Sequence, residues 1–276
     1  MSKLQDLELA FIGSGVMAEA MMNGILSQSL IDPAHIMASD PLMERGQELR
    51  ERYAVKATTD NREAAKAAQI VILSVKPQVL PVVLKELKGA VEPGALVLSI
   101  VAGARIKVIA DGLGHDAVVR VMPNTPAQVG EGMSVWTATQ GVREEQRAQA
   151  QSILQALGEE IYLEDEDYLD MATALSGTGP AYVFLFMEAL VDAGVHLGFP
   201  RRIAQQLVLQ TLQGSVAFAR QSIAHPAELR NMVTSPGGTS AEALYQLEKG
   251  GFRTVLSRAI WAAYQKSKYL GELSSE

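Results

Sequence analysis

The chain has 276 residues, enough for one large or two modest domains, and its 48% hydrophobic share is ordinary for a globular protein. A formal net charge of −7 lacks the basic surplus of a nucleic-acid binder, so the expected partners are small molecules. There is no cysteine, which excludes disulfides and thiolate chemistry and fits a reducing, cytoplasmic setting. The opening residues, Met1 to Glu8, hold no long apolar leader, and no later run is read as reaching the roughly 20 apolar residues of a membrane helix. No membrane partner is therefore expected. His35, His115, His196 and His225 lie far apart without metal-ligand spacing, so no metal site is expected.

Taken in order, Leu9-Ala10-Phe11-Ile12 is a short apolar run that breaks into the glycine turn Gly13-Ser14-Gly15 and then becomes a helix, which Glu19 to Gln28 continues. Glycine at 13 permits a tight turn, glycine at 15 lets backbone N–H groups approach a pyrophosphate, and small Ala18 lets the helix pack on the strand. The helix N-terminus then faces an anion. An ordinary strand-to-helix turn gives the same string, so the glycines alone do not decide. Ile36 to Ser39 reads as a second strand ending at Asp40, where the dinucleotide fold places an acidic residue for the adenosine ribose hydroxyls. Asp40 before Pro41 also reads as an N-cap with proline at the first helical position, for a helix through Met43 to Arg52. The two roles can coexist.

Helix and strand signals then alternate: helical from Ala64 to Ala68, strand from Ile70 to Leu73, helical from Pro81 to Leu87, strand from Leu96 to Ile100. Continuous apolar strands are the pattern of a parallel sheet covered on both faces, hence a doubly wound α/β domain of Rossmann type. Ligands in such sheets sit beyond the strand C-termini, which here carry Ser74-Val75-Lys76-Pro77, Val101-Ala102-Gly103 and Met122-Pro123-Asn124-Thr125-Pro126. Lys76 is placed to face a phosphate or the nicotinamide ribose; the plain alternative is a solvated lysine beside a turn. Gly130 to Trp136, a helix from Glu144 to Leu157, and Glu160 to Leu163 complete this half.

The boundary falls near 163–167, giving a dinucleotide-binding domain over 1–164 and an all-α substrate and dimerisation domain over 165–276. The acidic run Glu164 to Asp167 reads as a solvated helix start. Leu175 to Pro180 reads as a flexible turn before a helix over Ala181 to Leu197 that is apolar around nearly its whole circumference, with Glu188 and Asp192 its only charges. Such a helix must be enclosed, within its domain or by another subunit. A long helix follows from Pro200 to Arg220. Thr234-Ser235-Pro236-Gly237-Gly238-Thr239-Ser240 then precedes a helix over Ala241 to Leu247, leaving N–H groups that suit a carboxylate. Thr239 and Glu242 also have capping-box spacing, which would satisfy those donors internally.

In order and spacing, Phe11-Ile12-Gly13-Ser14-Gly15, Val75-Lys76-Pro77, Met122-Pro123-Asn124-Thr125-Pro126, Leu175-Ser176-Gly177-Thr178-Gly179-Pro180-Ala181-Tyr182 and Thr234-Ser235-Pro236-Gly237-Gly238-Thr239 resemble the successive motifs of the pyrroline-5-carboxylate reductase family over essentially the full length. The glycine turn is shared by many dehydrogenases, whereas the serine-proline-glycine-glycine loop is specific to that family. The resemblance implies reduction of the cyclic imine 1-pyrroline-5-carboxylate to L-proline with NADPH or NADH, the last step of proline synthesis. It implies cofactor contacts from Ile12, Gly13, Ser14, Gly15, Val16, Met17, Ser39, Asp40, Asn61, Val75, Lys76, Pro77, Ala102 and Asn124. Substrate contacts fall to Ser235, Gly238, Thr239, Ser240 and Glu166, with Ser240 catalytic, standing where the family commonly has threonine. Relatives that favour NADPH often carry serine at the position of Asp40, so NADH is expected to serve at least as well, with Arg45, one turn into the following helix, a candidate to offset the repulsion. Homodimers assembling into a decamer are implied as well. The rival readings are a related imine or hydroxy-acid reductase and a non-catalytic dinucleotide-binding regulator. Hydroxy-acid relatives need a lysine base in the helical half, and Lys249, Lys266 and Lys268, the only lysines there, lie away from the glycine loop in sequence.

Overall fold

Eight strands join in one sheet in the computed structural model, which describes residues 4–273; Met1 to Lys3, part of the stretch read as free of a leader, lie outside the described residues. In chain order the first half runs β1 (Leu9–Ile12), α1 (Val16–Ser27), β2 (Ile36–Ser39), α2 (Met43–Tyr53), β3 (Lys56–Thr58), α3 (Asn61–Ala65), β4 (Ile70–Leu73), α4 (Leu80–Leu87), β5 (Leu96–Ser99), α5 (Ile106–Leu113), β6 (Val118–Met122), β7 (Gly132–Ala138), α6 (Glu144–Gln155) and β8 (Gly158–Tyr162). The strand order is β3-β2-β1-β4-β5-β6-β7-β8. All neighbours pair in parallel except β6 with β7.

Alternation along each strand builds a core on both faces. Leu9 and Phe11 point into one layer with Met21, Ile25, Ile72 and Leu154, while Ala10 and Ile12 point into the other with Val71, Leu73, Leu84 and Ile109. Each fully buried Phe, Leu or Ile contributes about 1.5–3 kcal/mol by leaving water. This two-sided burial is why the strands are uninterrupted apolar runs. The doubly wound, Rossmann-type expectation is met. The order reverses between β1, which pairs with β2 on one side and β4 on the other, and that reversal opens the crevice where such sheets take ligands.

The second half is helical: α7 (Asp167–Ala172), a π-helical turn over Thr173–Gly177, α8 (Gly179–His196), α9 (Arg201–Gln221), α10 (Pro226–Met232), α11 (Thr239–Lys249) and α12 (Phe252–Leu273). By packing, the residues up to Pro180 together with those from Ala263 onward form one unit, and Ala181–Ala262 form another. The change of character at 164–167 is thus a change of secondary structure, since α7 packs against β6 and β7 of the first unit.

Leu175 to Pro180, expected as a flexible turn, is helical instead. The Thr178 N–H donates to the Thr173 carbonyl at 2.8 Å, the wide spacing of a π turn. This widened turn carries the chain past Pro180, which has no N–H to donate. As a result Asp167–His196 is one helical run of 30 residues, long and apolar enough by composition to cross a membrane, contrary to the expectation that no run reaches that length.

Candidate functional site

At the β1–α1 junction Gly13 has φ +87°, a conformation that favours glycine, and a Cβ there would lie 2.8 Å from Val75 Cγ1 and 3.0 Å from the Ser74 carbonyl oxygen. No side chain fits. Gly15 opens α1 without a side-chain cap, and a Cβ at that position would meet nothing within 4 Å. The first-turn N–H groups of Val16 and Met17 receive no side-chain cap from Gly15 and stand at the positive end of a 12-residue helix. Ala18 is fully buried, which lets the helix lie close to the sheet. Bare backbone donors, room for a close approach and a glycine that cannot be replaced fit the pyrophosphate of a dinucleotide.

The flanking residues hold this turn from β2 and α2. The Gly13 N–H donates to the Ser39 carbonyl at 2.9 Å, and the Ser14 hydroxyl donates to the same oxygen at 3.1 Å. Asp40 Oδ2 accepts the Ser14 N–H at 3.1 Å, and its Oδ1 accepts the Leu42 N–H at 3.0 Å. The N-cap reading of Asp40 is thereby corrected: α2 starts at Met43 after Leu42, and Asp40 closes an Asx turn ahead of it. Arg45 Nε donates to the Ser14 carbonyl at 2.8 Å, Nη1 pairs with Glu48 at 3.0 Å, and Nη2 bonds Glu19. Glu19 also takes hydrogen bonds from Arg52 and, at 2.9 Å, from the Tyr53 hydroxyl. Burial pushes the Glu19 carboxyl up, but the hydrogen bonds from Arg45 and Tyr53 outweigh it and hold the group below the ordinary glutamate value. Sequence reading gave neither Glu19 nor Arg45 any of these partners.

Ser39 ends β2 fully buried and donates to Asn61 Oδ1 at 2.8 Å, while Asn61 Nδ2 donates to Glu86 at 2.8 Å. Beside Asp40, Leu42, Met43, Gly46, Arg50, Ala57, Thr58 and Thr59 line an open depression of about 240 Å³. Beyond β4, Ser74 Oγ donates to the Gly13 carbonyl at 2.6 Å, tying the second strand end to the glycine turn. Lys76 is exposed ahead of the short helical turn Pro77–Val79 and makes no ion pair among the described residues. Ala102 is half-buried in the turn after β5. Asn124 is fully engaged: its Oδ1 accepts the Met133 N–H at 2.8 Å and its Nδ2 donates to the Ser176 carbonyl at 3.1 Å. Ile12, Gly13, Ser14, Gly15, Val16, Met17, Ser39, Asp40 and Asn61 thus cluster around one end of β1 and β2, with Val75 against Gly13.

Glu164, Asp165 and Asp167 are exposed at the start of α7, as the acidic run led one to expect, and Glu166 alone departs from that reading. Glu166 Oε1 caps α5 by accepting the Ile106 N–H at 2.8 Å and pairs with Arg120 at 2.7 Å. Arg120, only 3% exposed in the middle of β6, also reaches Asp170 at 3.3 Å. Asp170 Oδ1 accepts the Ser267 hydroxyl at 2.9 Å, and Oδ2 lies 3.2 Å from Arg105 as an ion pair without hydrogen-bond alignment. The Arg105 hydrogen bond holds the exposed Asp167 carboxyl below the ordinary aspartate value. Glu166 Oε1 alone takes both bonds, one from α5 and one from β6.

In the second unit, Ser235-Pro236-Gly237-Gly238 forms a tight turn in which the Gly238 N–H donates to the Ser235 carbonyl at 3.0 Å. Proline at the second position and a glycine with φ +70° at the third are what a type II turn requires. A Cβ on Gly238 would lie 2.6 Å from Ser235 Oγ, so the serine hydroxyl is pressed against the N-terminus of α11. Gly238, not Thr239, caps that helix, and no side chain bonds its first turn, so the capping-box alternative fails. The N–H groups of Thr239 and Ser240 share that first turn with their own hydroxyls. The loop presents Ser235, Thr239 and Ser240 around uncapped donors, an arrangement suited to a carboxylate.

Comparison with known proteins gives a concordant picture. The model of a family described as pyrroline-5-carboxylate reductase dimerisation matches residues 166–270, and one described as NADP oxidoreductase, coenzyme F420-dependent, matches residues 8–103. Pyrroline-5-carboxylate reductase from Synechocystis is 42% identical over 267 residues, covering 97% of this chain and 99% of that protein. The Pseudomonas aeruginosa protein of the same name is 41% identical, covering 96% and 97%. A crystal structure of Plasmodium falciparum pyrroline carboxylate reductase with NADP bound is 34% identical, with a TM-score of 0.89 over 97% of this chain and 99% of that one.

Proposed function

The chain belongs to the pyrroline-5-carboxylate reductase family, oxidoreductases of a cyclic imine that use a nicotinamide dinucleotide, and we propose that its two halves divide that work. Residues 1–164 hold the dinucleotide, and residues 165–276 hold 1-pyrroline-5-carboxylate and form the dimer. The observation that carries this reading is the near-full-length likeness to named reductases, including one solved with NADP. The product is L-proline, the last step of its synthesis.

The nicotinamide supplies a hydride, and the protein's contribution is to place the imine carbon against it, worth roughly 7–11 kcal/mol of barrier when the geometry is good. Gly13, Ser14, Gly15, Val16 and Met17 present backbone donors to the pyrophosphate beside Ile12. Ser39, Asp40 and Asn61 face the adenosine side. Val75, Lys76, Pro77 and Ala102 line the nicotinamide side, with Asn124 bracing it through Met133 and Ser176. Ser235, Gly238 and Thr239 bind the substrate carboxylate, and the Ser240 hydroxyl orients the imine nitrogen and relays a proton to it. An alcohol is too weak an acid at neutral pH to donate unaided. Glu166 contributes through Arg120 and the cap on α5.

Asp40 decides between the two dinucleotides. Its carboxylate accepts bonds from ribose hydroxyls and repels a 2′-phosphate, and Arg45 is committed to Ser14, Glu19 and Glu48. NADH is expected to work at least as well as NADPH. The protein acts as a homodimer assembled into a decamer in the cytoplasm, without nucleic-acid or membrane partners. The test is oxidation of NADH and NADPH by purified protein with 1-pyrroline-5-carboxylate, followed by proline formation. Proline with a kcat/KM for NADH at or above that for NADPH is the expected result. A large NADPH preference would overturn the role of Asp40, and dinucleotide binding without turnover would leave a regulator of the same fold.

A further inference from the structure

A planar trans peptide points its C=O and the next N–H in opposite directions, so whatever holds a carbonyl also aims the donor that follows. In the glycine turn the carbonyl of Ser14 is held by Arg45 Nε at 2.8 Å, and the N–H of Ser14 is held by Asp40 at 3.1 Å. The two peptides that meet at Ser14 are therefore oriented by opposite charges, from the turn after β2 and from α2, and the Gly15 N–H is turned away from Arg45. Gly15 is also the position with open space around it.

Arg45 is itself anchored. Its side chain is 19% exposed, and Nη2 bonds Glu19, a first-turn residue of α1 that also receives Tyr53. All three guanidinium nitrogens are engaged, the third by the exposed Glu48, whose pair with Arg45 is of the surface kind that contributes little. A guanidinium fork can serve a carbonyl and a carboxylate at once in fixed geometry, which a lysine ammonium cannot reproduce.

We propose that Arg45 is a positioning residue of the dinucleotide site: anchored by Glu19, it fixes the Ser14 carbonyl and thereby aims the Gly15 N–H at the pyrophosphate, serving NADH and NADPH alike. The inference rests on reading the glycine turn as that site. It differs from the sequence-based expectation that Arg45 offsets repulsion of a 2′-phosphate, because a guanidinium spent on the turn is not free for that phosphate.

The test is titration of full-length wild type, Arg45→Lys, Arg45→Ala and Glu48→Ala with NADH and with NADPH, read by nicotinamide fluorescence, alongside kcat at saturating dinucleotide and thermal melting. For both Arg45 variants the dissociation constants should rise by the same factor for the two dinucleotides, about tenfold for the loss of one charge-assisted hydrogen bond. The saturated kcat should stay within about twofold, and Glu48→Ala should bind as wild type does. A loss confined to NADPH would make Arg45 a 2′-phosphate ligand and overturn the proposal. Unchanged constants for both, or a fall in kcat at unchanged affinity, would overturn it too. Should Arg45→Ala fail to fold, Arg45→Lys keeps the stem and the charge and gives the same reading. Wild type binding neither dinucleotide would instead refute the underlying reading of the turn.

Discussion

A serine at 240 keeps the hydroxyl that the loop presents at the start of α11 but lacks the methyl that restricts a threonine rotamer. Removing that oxygen in Ser240→Ala should lower kcat/KM with 1-pyrroline-5-carboxylate by roughly 10²-fold, in the range of a lost proton-transfer partner, with the dinucleotide dissociation constant unchanged. Ser240→Thr should retain or raise activity. Steady-state kinetics with a parallel NADH titration separates the two effects, and an undiminished kcat/KM for the alanine variant would remove Ser240 from the reaction. The loop itself was readable from sequence because proline and two glycines each dictate a backbone conformation. Asp40 was readable only by position. Its actual partner, the Ser14 N–H, lies 26 residues away, and nothing local distinguishes that bond from a helix cap.

Between elements, the charges around Arg120 tie β6 to α5, α7 and the end of α12. Arg120 sits among Val118, Val119 and Val121 in a buried strand, a placement that is costly unless every charge is paired. Its partners, Glu166 and Asp170, come 46 and 50 residues later, and Ser267 meets Asp170 across 97 residues. Such spacing has no sequence signature, which is why Glu166 reads as solvated when only local charge density is considered. Arg120→Met should destabilise the protein by about 3–5 kcal/mol, because Asp170 would stay buried with only Arg105 for compensation. Calorimetry should show a drop in Tm of roughly 10 °C, and Ser267→Ala a smaller one, near 1 kcal/mol. Equal stability of Arg120→Met and wild type would show that the cluster contributes no net stability. Elsewhere the elements followed the pattern. The apolar strands β1, β2, β4 and β5 were legible because burial on both faces keeps them apolar up to the serine that ends β2 and β5. The short edge strand β3 was not, since Lys56-Ala57-Thr58 is too brief and too polar to stand out. The stretch Gly130 to Trp136 was legible where β7 lies, but its antiparallel sense was not, because that is set by pairing with β6.

For the whole molecule the decisive fact is how much apolar surface the helical half leaves uncovered in one chain. On α8, Val183, Phe184 and Leu185 are each about half exposed or more, reaching 66% at Leu185, and Leu207, Val216 and Phe218 on α9 and Trp261 on α12 are exposed as well. The sequence pattern demanded that α8 be enclosed, and the other helices of its own unit leave these side chains exposed. Water is a poor neighbour for a surface of this size, which marks an interface. A bilayer would also cover apolar side chains, and the run Asp167–His196 has the length for it. Yet that run carries Asp167, Asp170, Glu188 and Asp192, each costly in hydrocarbon, and Asp170 is already paired inside the first unit. The family description matching residues 166–270 names dimerisation, which favours a second copy over a bilayer as the occupant. Light scattering at micromolar concentration should therefore give a dimer or a multiple of it, in protein that stays in the supernatant after ultracentrifugation without detergent. Leu185→Asp should shift it toward monomer, since burying an unpaired carboxylate in the interface costs several kcal/mol. A wild-type monomer at that concentration would refute the interface, and recovery only in detergent-extracted membranes would assign the exposed face to lipid.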